Sequence, residues 1–208
     1  MSYNINLMKT FFLRYFPLLL SLIFQCSAPS LKSQSYIDKL SCIEQEDKQD
    51  LQTMFNYFND YLKQRYDLKG TPKEEVYRQF AQETRDLRIA PQDLISENFF
   101  EIIAKCKALS LYQDLYKGVD RHNQSEIYTC IWSALPNEEL RLGLQGLKDA
   151  PPGMNLSPNM VAAGYVGVND FHDEGSQVLL SLDVFYPILH LYSEYQKMQK
   201  NHMGLEKN

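Results

Sequence analysis

The chain has 208 residues, of which 44% are hydrophobic and 23% are charged, and its formal net charge is −5. This length suffices for one domain with a real core, and the composition is that of a globular protein, which excludes a wholly disordered chain. An acidic chain without a run of Lys and Arg lacks the electrostatic footprint of a nucleic-acid-binding protein, so nucleic acid is not expected as a partner.

Residues 1–25 are predicted to be an export signal. They carry two basic residues, Lys9 and Arg14, and no acidic one, and they contain an apolar run at 15–24. This run is far shorter than the roughly 20 apolar residues that a membrane-spanning helix needs. A basic start, a short apolar run and a polar exit are typical of a secretory signal. The alternative, a buried N-terminal helix of a cytosolic protein, is disfavoured because no amphipathic period runs through the segment.

Residues 8–30 resemble the precursor signals of bacterial lipoproteins, in which a Cys just past the apolar run is lipidated and becomes the mature N-terminus. The stretch LIFQC, which ends at Cys26, matches that pattern in its apolar positions and departs from it at Gln25, where a small residue is usual. The resemblance implies lipidation of Cys26, a flexible tether over 26–35, and a protein held at the bacterial envelope by its anchor alone. The alternative is ordinary signal cleavage near Ser35, which would release a soluble periplasmic or secreted protein.

Residues 36–200 are predicted to form a single all-α domain, a helical bundle of about five to seven helices. Apolar residues spaced three and four apart place one stripe on a helix over 47–68. The sequence KGTPKEE then predicts a helix stop at Gly70 and a capping box that starts the second helix, with Thr71 as the N-cap and Glu74 at the third helical position.

The second half of the domain is predicted to hold shorter elements, since six of the nine glycines lie within 143–175. Helix is favoured there, with minor β content near residues 161–182 as the alternative. Asp183 is predicted to cap a last helix, and 201–208 to form a disordered tail. The inner face of the second helix is predicted to carry Val76, Phe80 and Leu87.

Three cysteines remain once Cys26 is assigned to the anchor, and these disulfide candidates are Cys42, Cys106 and Cys130. They allow at most one bridge, and the sequence does not choose among the three possible connectivities. The alternative is that all three are small buried hydrophobic residues. Because the chain has no CxxC pair, no Cys/His pair at zinc spacing and no nucleotide-binding motif, we predict neither a metal nor a cofactor.

The densest polar cluster of the chain is NDFHDEG, at 169–175. Carboxylates and an imidazole at this density could bind a divalent metal or supply an acid–base pair. The candidate ligand-binding residues are Asp170, His172, Asp173 and Glu174. Four ligands within five residues cannot converge on one ion without help, so the alternative is a solvated loop. A pocket that joins this loop to His122 or His190 would favour the ligand site.

No catalytic residue is predicted, because the nucleophile signatures of the common hydrolases are missing. We therefore expect a non-enzymatic binding or protein-interaction module, such as an accessory subunit or an inhibitor, with a protein as its partner. Tyr57 and Tyr77 lie off the main apolar stripes and would suit such contacts if exposed, the alternative being that they edge the core. The competing hypothesis is a metal- or small-ligand-binding protein, or a hydrolase, centred on Asp170–Glu174.

Overall fold

The computed structural model shows an all-α protein over the residues that it describes. These are 35–66, 69–89, 104–106, 108–116, 125–150 and 156–202. They are 77% helical and contain no strand, which confirms the all-α prediction and shows that the β alternative near residues 161–182 is wrong. The chain divides into two compact units, 1–34 and 35–208, and the predicted export signal, Cys26 and the tether before Ser35 lie outside the described residues.

The helices of the described residues follow one another in a fixed order along the chain. They are α1 (Tyr36–Lys39), α2 (Gln45–Arg65), α3 (Lys73–Arg85), α4 (Ser110–Tyr116), α5 (Glu126–Ser133), α6 (Glu138–Lys148), α7 (Pro158–Val168), α8 (Glu174–Leu180) and α9 (Tyr186–His202). A π-helical turn, Ser181–Phe185, joins α8 to α9 without a break. Helix α9 thus extends two residues into the predicted tail at 201–208. The count of five to seven helices stays a prediction, since undescribed residues separate several elements.

Helix α7 packs against α3 and α6, and glycines allow its close approach to α6. A Cβ atom added at Gly143 of α6 would clash with the side chain of Val168 in α7. A Cβ added at Gly164 of α7 would lie 3.2 Å from Leu144 Cδ2 of α6. The small residues around α7 therefore serve helix packing, which is the favoured interpretation of this segment.

Tyrosine is a principal component of the core. Tyr186 donates a hydrogen bond to the carbonyl oxygen of Met54 over 2.7 Å, and Tyr77 donates one to Asn59 Oδ1. The surface role expected for Tyr77 is wrong, because its side chain is 1% exposed and its hydroxyl is satisfied inside the protein. Tyr57 is half-buried and packs against the core. The buried tyrosines of the described residues are Tyr36, Tyr66, Tyr77, Tyr112, Tyr116, Tyr128, Tyr165 and Tyr186.

The π-helical turn precedes a proline inside the last long helix. The N–H of Tyr186 donates to the carbonyl oxygen of Ser181, five residues earlier. Pro187 follows, and in a regular α-helix its ring would collide with the carbonyl group of Asp183. A π turn widens the helix at this point and relieves that collision. Asp183 consequently lies within a continuous helix and is 4% exposed, so the prediction that it caps a last helix is wrong.

Helix α3 begins one residue later than its sequence pattern indicates. Its N-cap is Pro72, which has no side chain to accept a hydrogen bond, so the predicted capping box of Thr71 and Glu74 is wrong. The carboxylate of Glu74 instead approaches His172 of the loop that follows α7. A tertiary contact therefore replaces the local cap.

Helix α3 ends in a Schellman motif with Leu87 in the left-handed position that glycine usually occupies. The φ angle of Leu87 is 56°, the N–H of Leu87 donates to Thr84 O, and the N–H of Arg88 donates to Glu83 O. The prediction that Leu87 belongs to the inner face of this helix is wrong, because the chain has already turned away and the side chain is 73% exposed.

One disulfide bond joins Cys42, in the turn between α1 and α2, to Cys130 of α5. Their Cα atoms are 5.8 Å apart, which lies within the usual range for a disulfide. Of the three connectivities that the sequence leaves open, the structure thus contains Cys42–Cys130. Cys106 is a free, buried cysteine, and burial raises the pKa of its thiol to about 11. It is therefore protonated at neutral pH and is a poor nucleophile.

Candidate functional site

The acidic loop, residues 169–174, connects α7 to α8 and lies against α3. Asn169 ends α7 in the left-handed conformation, with a φ angle of 55°. Its Oδ1 accepts a 2.8 Å hydrogen bond from Nε of Arg78 in α3. The guanidinium of Arg78 also lies 5.8 Å from the ring centroid of Phe171, which is fully buried. These contacts fix the loop to the body of the protein.

The carboxylates of the acidic loop all bind neighbouring groups of the protein. Asp170 accepts from the side-chain amide of Asn137, and Asp173 is the N-cap of α8, where it accepts from the N–H of Ser176 over 3.0 Å. Glu174 accepts from the backbone N–H of Tyr36, which ties α1 to α8. These hydrogen bonds give each carboxylate a structural role. A ligand-binding role for them stays a prediction.

His172 of the acidic loop faces α3 rather than the other acidic side chains of its own loop. Its Nδ1 lies 3.7 Å from Oε1 of Glu74, and the imidazole is 72% exposed. Among the described residues, no group of three or more His, Cys, Asp and Glu side chains is placed to hold a metal ion. The structure therefore pairs His172 with Glu74 and does not bring the four predicted ligands to one point.

Asp173 is the member of the acidic loop whose ionisation is perturbed. Burial raises the pKa of its carboxyl above the usual value, and the negative charges of Asp170 and Glu174 act in the same direction. The N–H groups of Ser176 and Gly175 oppose this rise by bonding the ionised form. A raised pKa is one property that an acid–base residue needs, although cap residues share it when they are partly buried.

The two histidines considered as partners of the acidic loop do not complete it in the described structure. His190 of α9 is half-buried, with Nδ1 3.5 Å from the hydroxyl of Tyr112 and its ring stacked on Tyr116 at 6.1 Å between centroids. These contacts place it against α4. His122 lies outside the described residues.

The buried carboxylate of Asp183 is a polar site that the sequence patterns did not indicate. Its Oδ2 accepts hydrogen bonds from Tyr128 of α5 over 3.0 Å and from Tyr165 of α7 over 2.6 Å. Burial, followed by the nearby carboxylate, raises the pKa of both tyrosines well above the usual range, so both remain donors. Pro187, four residues after Asp183 within a helical pattern, was the signal that could have indicated an irregular helix here.

A groove of about 450 Å³ lies between α2 and α3. Its base is apolar and includes Leu62, Val76 and the buried ring of Tyr77. Its polar lining residues are Asn56, Asn59, Asp60, Lys63, Thr71 and Lys73. The sequence analysis assigned several of these residues to the solvent face of a helix and missed the groove, because the lining combines two helices.

Comparisons of the chain with protein-family models, with curated proteins and with solved structures found no match. Within the part of the chain that the structure describes, no helix has both the length and the apolar composition needed to cross a membrane. The functional argument therefore depends on the side chains described above and on the cysteines.

Proposed function

We propose that this protein is exported, is held at the bacterial envelope by a lipid on Cys26, and uses its helical domain to bind another molecule without chemically changing it. The observation that carries this proposal is the Cys42–Cys130 disulfide, since disulfides form and persist in oxidising compartments outside the cytosol. The disulfide and the buried Cys106 account for three of the four cysteines. Cys26 is the one left, and the lipoprotein-like signal assigns lipidation to it.

Binding is favoured over catalysis because the acidic side chains considered for chemistry have structural duties. Asp173 caps a helix, Glu174 holds α1, and Asp183 is buried beneath two tyrosines. Cys106 is buried and protonated at neutral pH. A polar groove between two helices is left as a surface feature with unsatisfied hydrogen-bonding groups, which suits recognition.

Cys26→Ser tests the anchor. We expect the wild-type chain, expressed in a bacterial host, to lose residues 1–25, to gain the mass of a lipid and to partition into the membrane fraction. The variant should gain no lipid and should leave that fraction, whereas the matched control Ser27→Ala should behave as the wild type. Identical masses and identical partitioning of wild type and Cys26→Ser would overturn the anchor.

The N-terminus of the processed chain separates anchoring from export. A wild-type chain that starts near Ser35 and is soluble would support export but reject the anchor. Thiol alkylation of the exported protein should label two additional cysteines, Cys42 and Cys130, only after reduction. If both are labelled without reduction, the disulfide argument for an oxidising compartment fails.

A further inference from the structure

The polar groups of the groove between α2 and α3 have an unequal division of hydrogen-bonding capacity. Oδ1 of Asn56 accepts from Nε2 of Gln52 over 3.0 Å, and Oδ1 of Asn59 accepts from the hydroxyl of Tyr77. Both amide oxygens are thus occupied, which fixes the orientation of the two side chains. Their NH₂ groups donate to no described residue. Since the two residues are three apart on α2, these donors lie on one helix face.

Lys73 adds a positive charge on the opposite wall of the groove. Its ammonium lies 5.5 Å from the ring centroid of Tyr77 and 5.8 Å from that of Phe55, so two cation–π contacts hold it beside the groove. It forms no ion pair with a described residue. By contrast, Lys63 pairs with Asp60 at 2.9 Å.

The charge of the groove is opposite in sign to that of the chain. Its lining contains two lysines and one aspartate, a balance of one positive charge, whereas the chain carries −5. Helix α3 begins at Lys73 without a side-chain cap, so the positive end of its dipole also faces this region. Each of these features favours a ligand that accepts hydrogen bonds and carries negative charge.

We propose that this groove binds a small organic acid, with its carboxylate or phosphate group between the Lys73 ammonium and the amide NH₂ groups of Asn56 and Asn59. A volume of about 450 Å³ lies within the range of small-molecule sites and exceeds what a single inorganic ion fills. The apolar base formed by Leu62 and Val76 would contact the carbon skeleton of the ligand. This inference rests on the proposed function only in treating the domain as a binding module.

The test is an amide NMR titration of the purified full chain with three probes: citrate, glycerol 3-phosphate and glycerol. We expect at least one of the two acids to shift the side-chain amide signals of Asn56 and Asn59, and glycerol to shift neither. A response to citrate alone would assign a carboxylate ligand, and one to glycerol 3-phosphate alone a phosphate ligand. No shift with either acid, or an equal response to glycerol, would overturn the proposal.

Two groove variants and one control localise the binding. Lys73→Gln should weaken binding of the responding acid by about tenfold or more, since a charge-assisted hydrogen bond is lost. Asn56→Asp should weaken it similarly, because it keeps the acceptor for Gln52 and replaces the donor with a like charge. Lys39→Gln removes the same charge at the end of α1, outside the groove lining, and should bind as the wild type.

Equal weakening by Lys39→Gln and Lys73→Gln would show attraction by overall charge and would overturn the site. Circular dichroism checks that each variant is folded. Failure of this titration leaves the Cys26 experiment unaffected, because lipidation and membrane partitioning do not depend on the groove. The two proposals can therefore fail separately.

Discussion

The hydroxyl group of Tyr116 satisfies a backbone carbonyl that the last long helix cannot satisfy itself. In an α-helix the carbonyl of Leu182 would accept from the N–H of Tyr186, but that N–H is bonded to Ser181 O. In the π register the partner would be Pro187, which has no N–H. Tyr116 of α4 supplies the missing donor over 2.7 Å. A single phenol thereby compensates for the proline and holds α4 to the π-helical turn.

Tyr116→Phe should therefore lower the free energy of unfolding by about 1–3 kcal/mol, because it leaves a buried carbonyl without a partner while keeping the ring. Urea denaturation measures the loss. The matched control is Tyr57→Phe in α2, a half-buried tyrosine without a hydrogen bond to a described residue, which should change stability by less than about 0.5 kcal/mol. Equal losses in both variants would contradict this role for the Tyr116 hydroxyl.

At the scale of the elements, the contact between α6 and α7 explains why two glycines of one helix have opposite importance. Gly143 faces Val168 so closely that no side chain fits, whereas a Cβ at Gly146 would meet no atom within 4 Å. Both residues carry the entropic cost of glycine in a helix. At Gly143 alone, close packing offsets it.

Gly143→Ala should destabilise the protein by about 1–3 kcal/mol through overpacking, and Gly146→Ala should stabilise it by about 0.5–1 kcal/mol through helix propensity. Thermal unfolding followed by circular dichroism would show shifts of opposite sign. A stabilising effect of both substitutions would mean that α6 and α7 are not in close contact.

The same elements show how far the sequence could predict this molecule. The apolar stripe over 47–68 and the small residues of α7 reveal helices, since periodicity reports which face of an element is buried. Periodicity does not report which polar group meets a buried hydroxyl on a distant helix, and so Asp183 was taken for a cap and Tyr77 for a surface residue. The groove was missed for a related reason, because Asn56 and Lys73 come together only when α2 packs beside α3.

For the whole molecule, the buried tyrosines make stability depend on alkaline pH. Burial raises the pKa of Tyr116, Tyr128, Tyr165 and Tyr186 well above the usual value in the folded state. In the unfolded chain their pKa is about 10. A folded pKa above the unfolded one means that the stabilisation is complete below about pH 10 and is lost as the pH rises further.

We expect the free energy of unfolding to fall above about pH 10, with these tyrosines ionising only as the helices are lost. Ultraviolet absorbance of tyrosinate and helical circular dichroism, recorded in one titration, would show the two changes together. Protein unfolded in urea provides the reference, with all tyrosines titrating near pH 10. Full ionisation near that pH with the helical signal intact would show that the tyrosines are accessible.

The Cys42–Cys130 disulfide also determines how the domain responds to force. The two cysteines are 88 residues apart, so a pull applied at Ser35 passes through α1 and crosses the sulfur bridge to α5. The chain between them, which contains α2 and α3, bears none of that load and keeps about 300 Å of potential extension out of reach. A domain loaded from its N-terminal side would thus keep both walls of the α2–α3 groove out of the path of tension.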